Sequence, residues 1–162
     1  MTTPRLVGVV HLPPLPGTPC GGTVADLEEI LDRVRRDALA YAEGGADAII
    51  VENFGDVPFR KVVQPETIAV MTRAVLEAKA ASGLPMGVNV LRNDVLGAVS
   101  VAAMTGAAFV RANVYVGAMV TDQGVIEGNA AEVQALIRRL GAPVDVWADV
   151  DVKHASPIAP RS

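Results

Sequence analysis

Cysteine is almost missing from this 162-residue chain, where Cys20 stands alone. A disulfide framework and a thiolate metal cluster are therefore excluded, and a reducing cytoplasm is the fitting compartment. Positive charge is also sparse, with 14 Lys and Arg against 18 Asp and Glu and a net charge of −4. The basic residues are scattered, so neither nucleic acid nor an anionic membrane surface finds a patch to grip. MTTPRLVGVV at the N-terminus lacks the long apolar core and cleavage region of a signal peptide. Residues 95–110 carry no charge, but Gly, Ser and Thr interrupt this short run and Arg111 closes it, which argues against a membrane span. A buried helix followed by a strand is the expected structure there. No Walker or G-x-G-x-x-G motif is present.

What is present suffices for a well-filled core. Hydrophobic residues make up 51% of the chain and charged residues 20%, which excludes disorder and points to a single domain over residues 1–162. Leu6–Val10 reads as a first strand. The run HLPPLPGTPCGG that follows holds four prolines and three glycines, so it must be a loop. Thr23 and Asp26 suit a helix start, with Leu27, Ile30, Leu31, Val34, Ala38 and Tyr41 on one stripe as far as Glu43. Further strands are expected at Ala48–Val51, Met86–Leu91, Ala108–Val114 and Val144–Val150. Between them lie helices from Pro65 to about Ala81, from Asp94 to Gly106, and from Asn129 and Glu132 to about Leu140. The glycine-bounded stretch 117–128 is either a flexible cover or a long crossover.

Helices ending in glycine and followed at once by a strand describe an α/β parallel sheet with short αβ loops. The expected architecture is of (β/α)8 TIM-barrel type, present as an incomplete barrel of about five βα units. Eight strands are needed for closure, and the chain accounts for five. An open doubly wound domain is the competing arrangement. Open sheet edges predict self-association.

The chemistry-bearing residues fall at the strand exits, where an α/β barrel keeps its site. His11 follows the first strand, and Glu52, Asn53 and Asp56 follow the second. Asn89, Arg92, Asn93 and Asp94 end the third; Arg111 and Asn113 end the fourth; Asp149, Asp151, Lys153 and His154 end the fifth. Asp122 lies in the stretch before the last helix. Glu52, Asp149 and His154 are candidate ligands for a divalent metal. Lys153 is a candidate Schiff-base amine, and Glu52 or His11 a candidate general base. Asn53, Asp56, Asn89, Arg92, Asn93, Arg111, Asn113, Asp122 and Asp151 are candidate ligand-binding residues. Taken singly, each charged residue reads more simply as a cap or a solvated loop, and Asp94 is the clearest such case. The group as a whole resists that reading because it recurs at five exits.

HLPPLPG (11–17), VENFGDVPF (51–59), GVNVLRND (87–94), VRANVYVGAMVTDQGVIEG (110–128) and ADVDVKHASP (148–157) together resemble the BtpA family of membrane-complex or photosystem I biogenesis proteins. The resemblance implies a TIM-barrel-like fold and a role in accumulating or stabilising photosystem I reaction-centre proteins. Partners would then be membrane-complex proteins, met in the cytoplasm or at the membrane periphery. Relatives also occur in organisms without photosystem I, some beside sugar-transport genes, and the resemblance carries over no catalytic residues. A barrel enzyme, metal-assisted or not, acting on a small polar metabolite such as a sugar or sugar phosphate is the alternative expectation.

Overall fold

The computed structural model describes residues 4–158. Strand β1 (Val7–His11) runs into the proline-rich loop and a 3-10 turn at Val24–Asp26. There follow α1 (Leu27–Glu43), β2 (Ala48–Glu52), α2 (Pro65–Ser82), β3 (Met86–Asn89), α3 (Val95–Thr105) and β4 (Phe109–Ala112). A hairpin of β5 (Ala118–Thr121) and β6 (Gly124–Glu127) then interrupts the alternation. The chain resumes with α4 (Ala130–Leu140), β7 (Asp145–Ala148) and the short β8 (Ser156–Pro157).

Local chemistry accounts for most boundaries. Thr23 forms a capping box with Asp26: Ala25 N donates to Thr23 Oγ1 and Thr23 N donates to Asp26 Oδ2. The box opens the 3-10 turn, so α1 proper begins at Leu27 rather than straight after Thr23. Asp94 Oδ1 accepts from Gly97 N at 2.9 Å and caps α3 as expected. Asn129 does not cap α4 in this way. Its Oδ1 is buried without a hydrogen-bond partner, and Glu132 only places an acid in the first turn. Gly83 and Gly106 end α2 and α3 with φ of +68° and +63°, a conformation that a Cβ would strain.

Strands β1, β2, β3, β4 and β7 form one parallel sheet in that order. Side chains alternate between its faces. Val10, Ile49, Val51, Met86, Val88 and Val110 enter the main core, together with residues from all four helices. Each helix also packs on the next, α1 on α2, α2 on α3 and α3 on α4. The helices therefore line a single face. A doubly wound domain needs helices on both, so that arrangement does not describe residues 4–158.

The other face carries Val7, Val9, Ala48, Ile50, Phe109 and Trp147. Phe109 and Trp147 stack with centroids 3.7 Å apart and planes 12° apart. Gly87 makes room for them, since a Cβ there would come within 2.2 Å of the Phe109 ring.

The central strands are shorter than the apolar runs suggest. β3 ends at Asn89 rather than Leu91, β4 at Ala112 rather than Val114, and β7 at Ala148 rather than Val150. Side-chain amides take over where the ladder stops: Leu91 N donates to Asn53 Oδ1 and Val114 N to Asn93 Oδ1. The stretch 117–128 is not a plain crossover. Gly124, with φ of +86°, closes a tight turn that pairs β5 with β6, and β8 adds antiparallel to β5. Val114, Met119, Ile126 and Val152 form a small core beneath it.

Candidate functional site

The bare face of the sheet becomes polar at the C-terminal ends of its strands. His11 lies opposite Glu52 in register, and Glu52 lies opposite Asn89. Arg111 and Asn113 continue the Phe109 row by alternation, and Asp149 continues the Trp147 row. A cleft of about 700 Å³ opens above them. Its wall carries His11, Glu52, Arg111, Asn113 and Asp149 together with Arg92, Asp122, Lys153 and His154, among Phe54, Val57, Phe59, Leu91 and Val152. Such a volume suits a small metabolite.

The carboxylates are held by partners, as burial requires. The Glu52 side chain is 7% exposed. Its Oε2 accepts from Asn89 Nδ2 at 2.5 Å and lies 3.7 Å from Arg111 Nη1, while Oε1 lies 3.6 Å from His11 Nε2. Arg111 donates Nε to Asp149 Oδ1 at 2.9 Å and Nη2 to Oδ2 at 3.0 Å. This two-pronged geometry fits guanidinium to carboxylate. The hydrogen bonds from Arg111 to Asp149 hold the guanidinium above its ordinary pKa, against the opposing effect of burial. Asn113 Nδ2 also donates to Asp149 Oδ2, at 2.9 Å, while Asn113 Oδ1 is buried and accepts nothing.

Aromatic rings frame the two outermost groups. Phe54 stacks on the half-exposed His11 with centroids 4.4 Å apart. The Arg92 guanidinium lies 4.8 Å from the Phe59 centroid, a cation–π distance. Arg92 Nε donates to Gln123 Oε1 at 3.0 Å, and Nη2 lies 3.6 Å from Asp122 Oδ1, both residues being in the β5–β6 turn. The hairpin thus reaches the cleft at its tip.

Several expected site residues are engaged by the scaffold. Asn53 fastens Leu91 and donates to Asp56 Oδ2 at 3.0 Å. Asp56 Oδ1 accepts from Leu15 N at 2.8 Å and so anchors the proline-rich loop. Burial pushes the Asp56 carboxyl above its ordinary range, with the hydrogen bonds from Leu15 N, Asn53 and Thr18 opposing it. Asn93 clamps both the N–H and the C=O of Val114, at 2.9 and 2.8 Å. Asp94 caps α3 and also accepts from Val63 N. Asp151 is exposed and does not line the cleft.

Among the described residues no three His, Cys, Asp or Glu side chains gather in a way that could hold a metal ion, and the candidate ligands Glu52, Asp149 and His154 form no such group. The reason is visible in the wall. Arg111 lies between the two carboxylates and supplies the positive charge itself. Lys153, the candidate amine, is exposed in the cleft.

Phe54, Phe59 and Gln123 were not among the expected site residues. The first two belong to one exit loop, VENFGDVPF, in a chain with three phenylalanines, and that concentration is a readable signal. Gln123 has none, because its place depends on a hairpin turn within a stretch expected to be a flexible cover or a long crossover. Among the described residues no helix is long and apolar enough to cross a membrane.

The BtpA family model matches residues 2–162. An uncharacterised protein of Pyrococcus horikoshii is 50% identical over 151 residues, which cover 93% of this chain and 58% of the relative. The photosystem I biogenesis protein BtpA of Synechocystis is 46% identical over 154 residues, 94% of this chain and 53% of its own length. A putative sgc region protein of Escherichia coli, SgcQ, is 33% identical over 141 residues, 87% of this chain and 52% of its own. The chain therefore spans a little more than half the length of these relatives. With that breadth of match, the chain belongs to the BtpA family.

Proposed function

We propose that this chain is the N-terminal part of a (β/α)8 barrel whose rim binds a small polar metabolite and acts on it by acid–base chemistry. The barrel reading is supported by five parallel strands with their helices on one face and their polar groups at the C-terminal ends. The observation that carries the functional reading is the in-register His11–Glu52 pair at the wall of the 700 Å³ cleft. In this reading His11 takes a proton from the bound molecule and Glu52, fixed by Asn89, stabilises the imidazolium that forms. Arg111 and Asp149 supply a preorganised field. Lys153 is too exposed for the desolvation that makes an amine nucleophilic, so a Schiff base forms no part of the proposal.

The test is a thermal-shift screen of the chain against sugars, sugar acids, amino acids and their phosphate esters. Stabilisation by at least one compound, lost in Glu52→Gln, is the expected result. No stabilisation anywhere in the screen overturns the reading.

A second reading has its own support in the 46% identity to a protein named for photosystem I biogenesis. Here the chain, in the cytoplasm or at the membrane periphery, stabilises a membrane complex through protein contacts. Co-purification of membrane-complex subunits with the full-length relative, unaffected by Glu52→Gln, would favour it over the enzyme.

A further inference from the structure

We infer that the cleft takes a hydroxylated molecule bearing a phosphate monoester at one end, with its hydroxyls against Asn113 and Asp149 and its phosphate towards Arg92 and Lys153. This rests on the ligand-binding reading above and adds a polarity to it. One part of the wall is made of acceptors. Asn113 is 6% exposed, and its Oδ1 is buried with no partner while its Nδ2 is already given to Asp149. A buried orphan acceptor calls for a donor. Glu52 and Asp149, when ionised, only accept as well. Arg111, the cation among them, has Nε and Nη2 committed to Asp149 and turns Nη1 towards Glu52. An anionic group seated here would face carboxylate and amide oxygens. A hydroxyl, which both donates and accepts, suits this acceptor-rich part of the wall.

The other part of the wall has the opposite character. The Arg92 side chain is 12% exposed, yet its nearest carboxylate is Asp122, 3.6 Å away and 65% exposed. Nε goes to a neutral amide, Gln123, and Phe59 backs the guanidinium. A cation so covered and so weakly neutralised has capacity for an anion. Lys153 faces the same cleft as a second cation. Arg92, only weakly paired with the solvated Asp122, and Lys153 as a second cation lining the cleft favour a group close to a dianion, which a phosphate monoester is near neutral pH.

Isothermal titration of the chain with glycerol 3-phosphate, ribose 5-phosphate and glucose 6-phosphate tests this, against glycerol, ribose, glucose, gluconate and inorganic phosphate. At least one ester should bind about tenfold or more tighter than its parent polyol and than inorganic phosphate. Arg92→Gln should reduce that ester to the level of its parent while leaving the parent within about twofold. Lys153→Met, on an exposed side chain that threatens no folding, should do the same in part. Asn113→Ala should weaken ester and parent alike and spare inorganic phosphate. A parent that binds as tightly as its ester, or gluconate binding best, overturns the phosphate assignment and leaves the ligand-binding reading standing. Failure of every compound here overturns the inference alone; the broader reading falls only if the full screen also shows no Glu52-dependent stabilisation.

Discussion

Arg111 grips Asp149 through two parallel hydrogen bonds, Nε to Oδ1 and Nη2 to Oδ2, and its remaining arm points towards Glu52. One guanidinium therefore neutralises carboxylates from two strands, β2 and the exit of β7. Replacing it with methionine leaves both acids facing each other without a cation. Breaking a fully buried pair costs about 3–5 kcal/mol, and the 38% exposure of the Arg111 side chain lowers the expectation to about 1–3 kcal/mol. Urea unfolding of Arg111→Met checks this, and an unchanged midpoint would show that solvent already screens the pair.

Asn93 fastens the backbone of Val114 through both arms of its amide. Asn93→Ala should destabilise by about 2–3 kcal/mol, because a buried N–H and C=O each lose a partner. Amide exchange at Val114 should accelerate along with the loss of stability. Ligand affinity measured at a temperature where the variant is folded should change little, and a large loss of affinity would return Asn93 to the binding site.

Asp56 gives a pH dependence of definite sign. Its folded pKa is raised by burial, so the folded protein holds this proton more tightly than the unfolded chain does. Its contribution to stability is greatest below the ordinary carboxylate range and is lost as pH rises through the raised folded value. Carbon-detected titration of the Asp56 carboxyl should give a midpoint above that of an exposed aspartate. A midpoint at or below it would mean that the bonds from Leu15, Asn53 and Thr18 outweigh desolvation.

Gly87→Ala places a methyl within 2.2 Å of the Phe109 ring and should cost about 1–3 kcal/mol by overpacking. Shrinking the ring in a Gly87→Ala, Phe109→Leu double variant should recover part of that loss. Additive losses, measured in a double-mutant cycle, would place the strain elsewhere.

The parallel sheet leaves β1 and β7 as its outer strands. Self-association of the chain in solution is the expected outcome, seen as a mass above that of one copy by light scattering. A monomer stable at high concentration would count against an open barrel.

Period and punctuation in the sequence carried most of the fold. Short apolar runs marked all five strands of the main sheet, four of them just after a helix-ending glycine, and Pro65 and Asp94 marked two helix starts. Strand exits also pointed to the end of the sheet where the cleft opens, and alternation puts Glu52, Asn89, Arg111 and Asp149 on one face. Two kinds of residue were not legible. Asn53, Asp56 and Asn93 are as polar as their neighbours, and only three-dimensional contact shows that they bond the backbone. The β5–β6 turn, Asp122-Gln123, lacks the asparagine–glycine pair that announces a hairpin, so neither the hairpin nor the role of Gln123 could be read.

The amide clamps set what can change above them. Asn53 and Asn93 hold the chain at Leu91 and Val114 by main-chain atoms, which every amino acid except proline offers alike. Side chains carried on these segments are thus uncoupled from the fastening beneath them. Variation at the lip of the cleft can retune what it recognises without loosening the frame, so members of one lineage can diverge in chemistry while keeping a common skeleton.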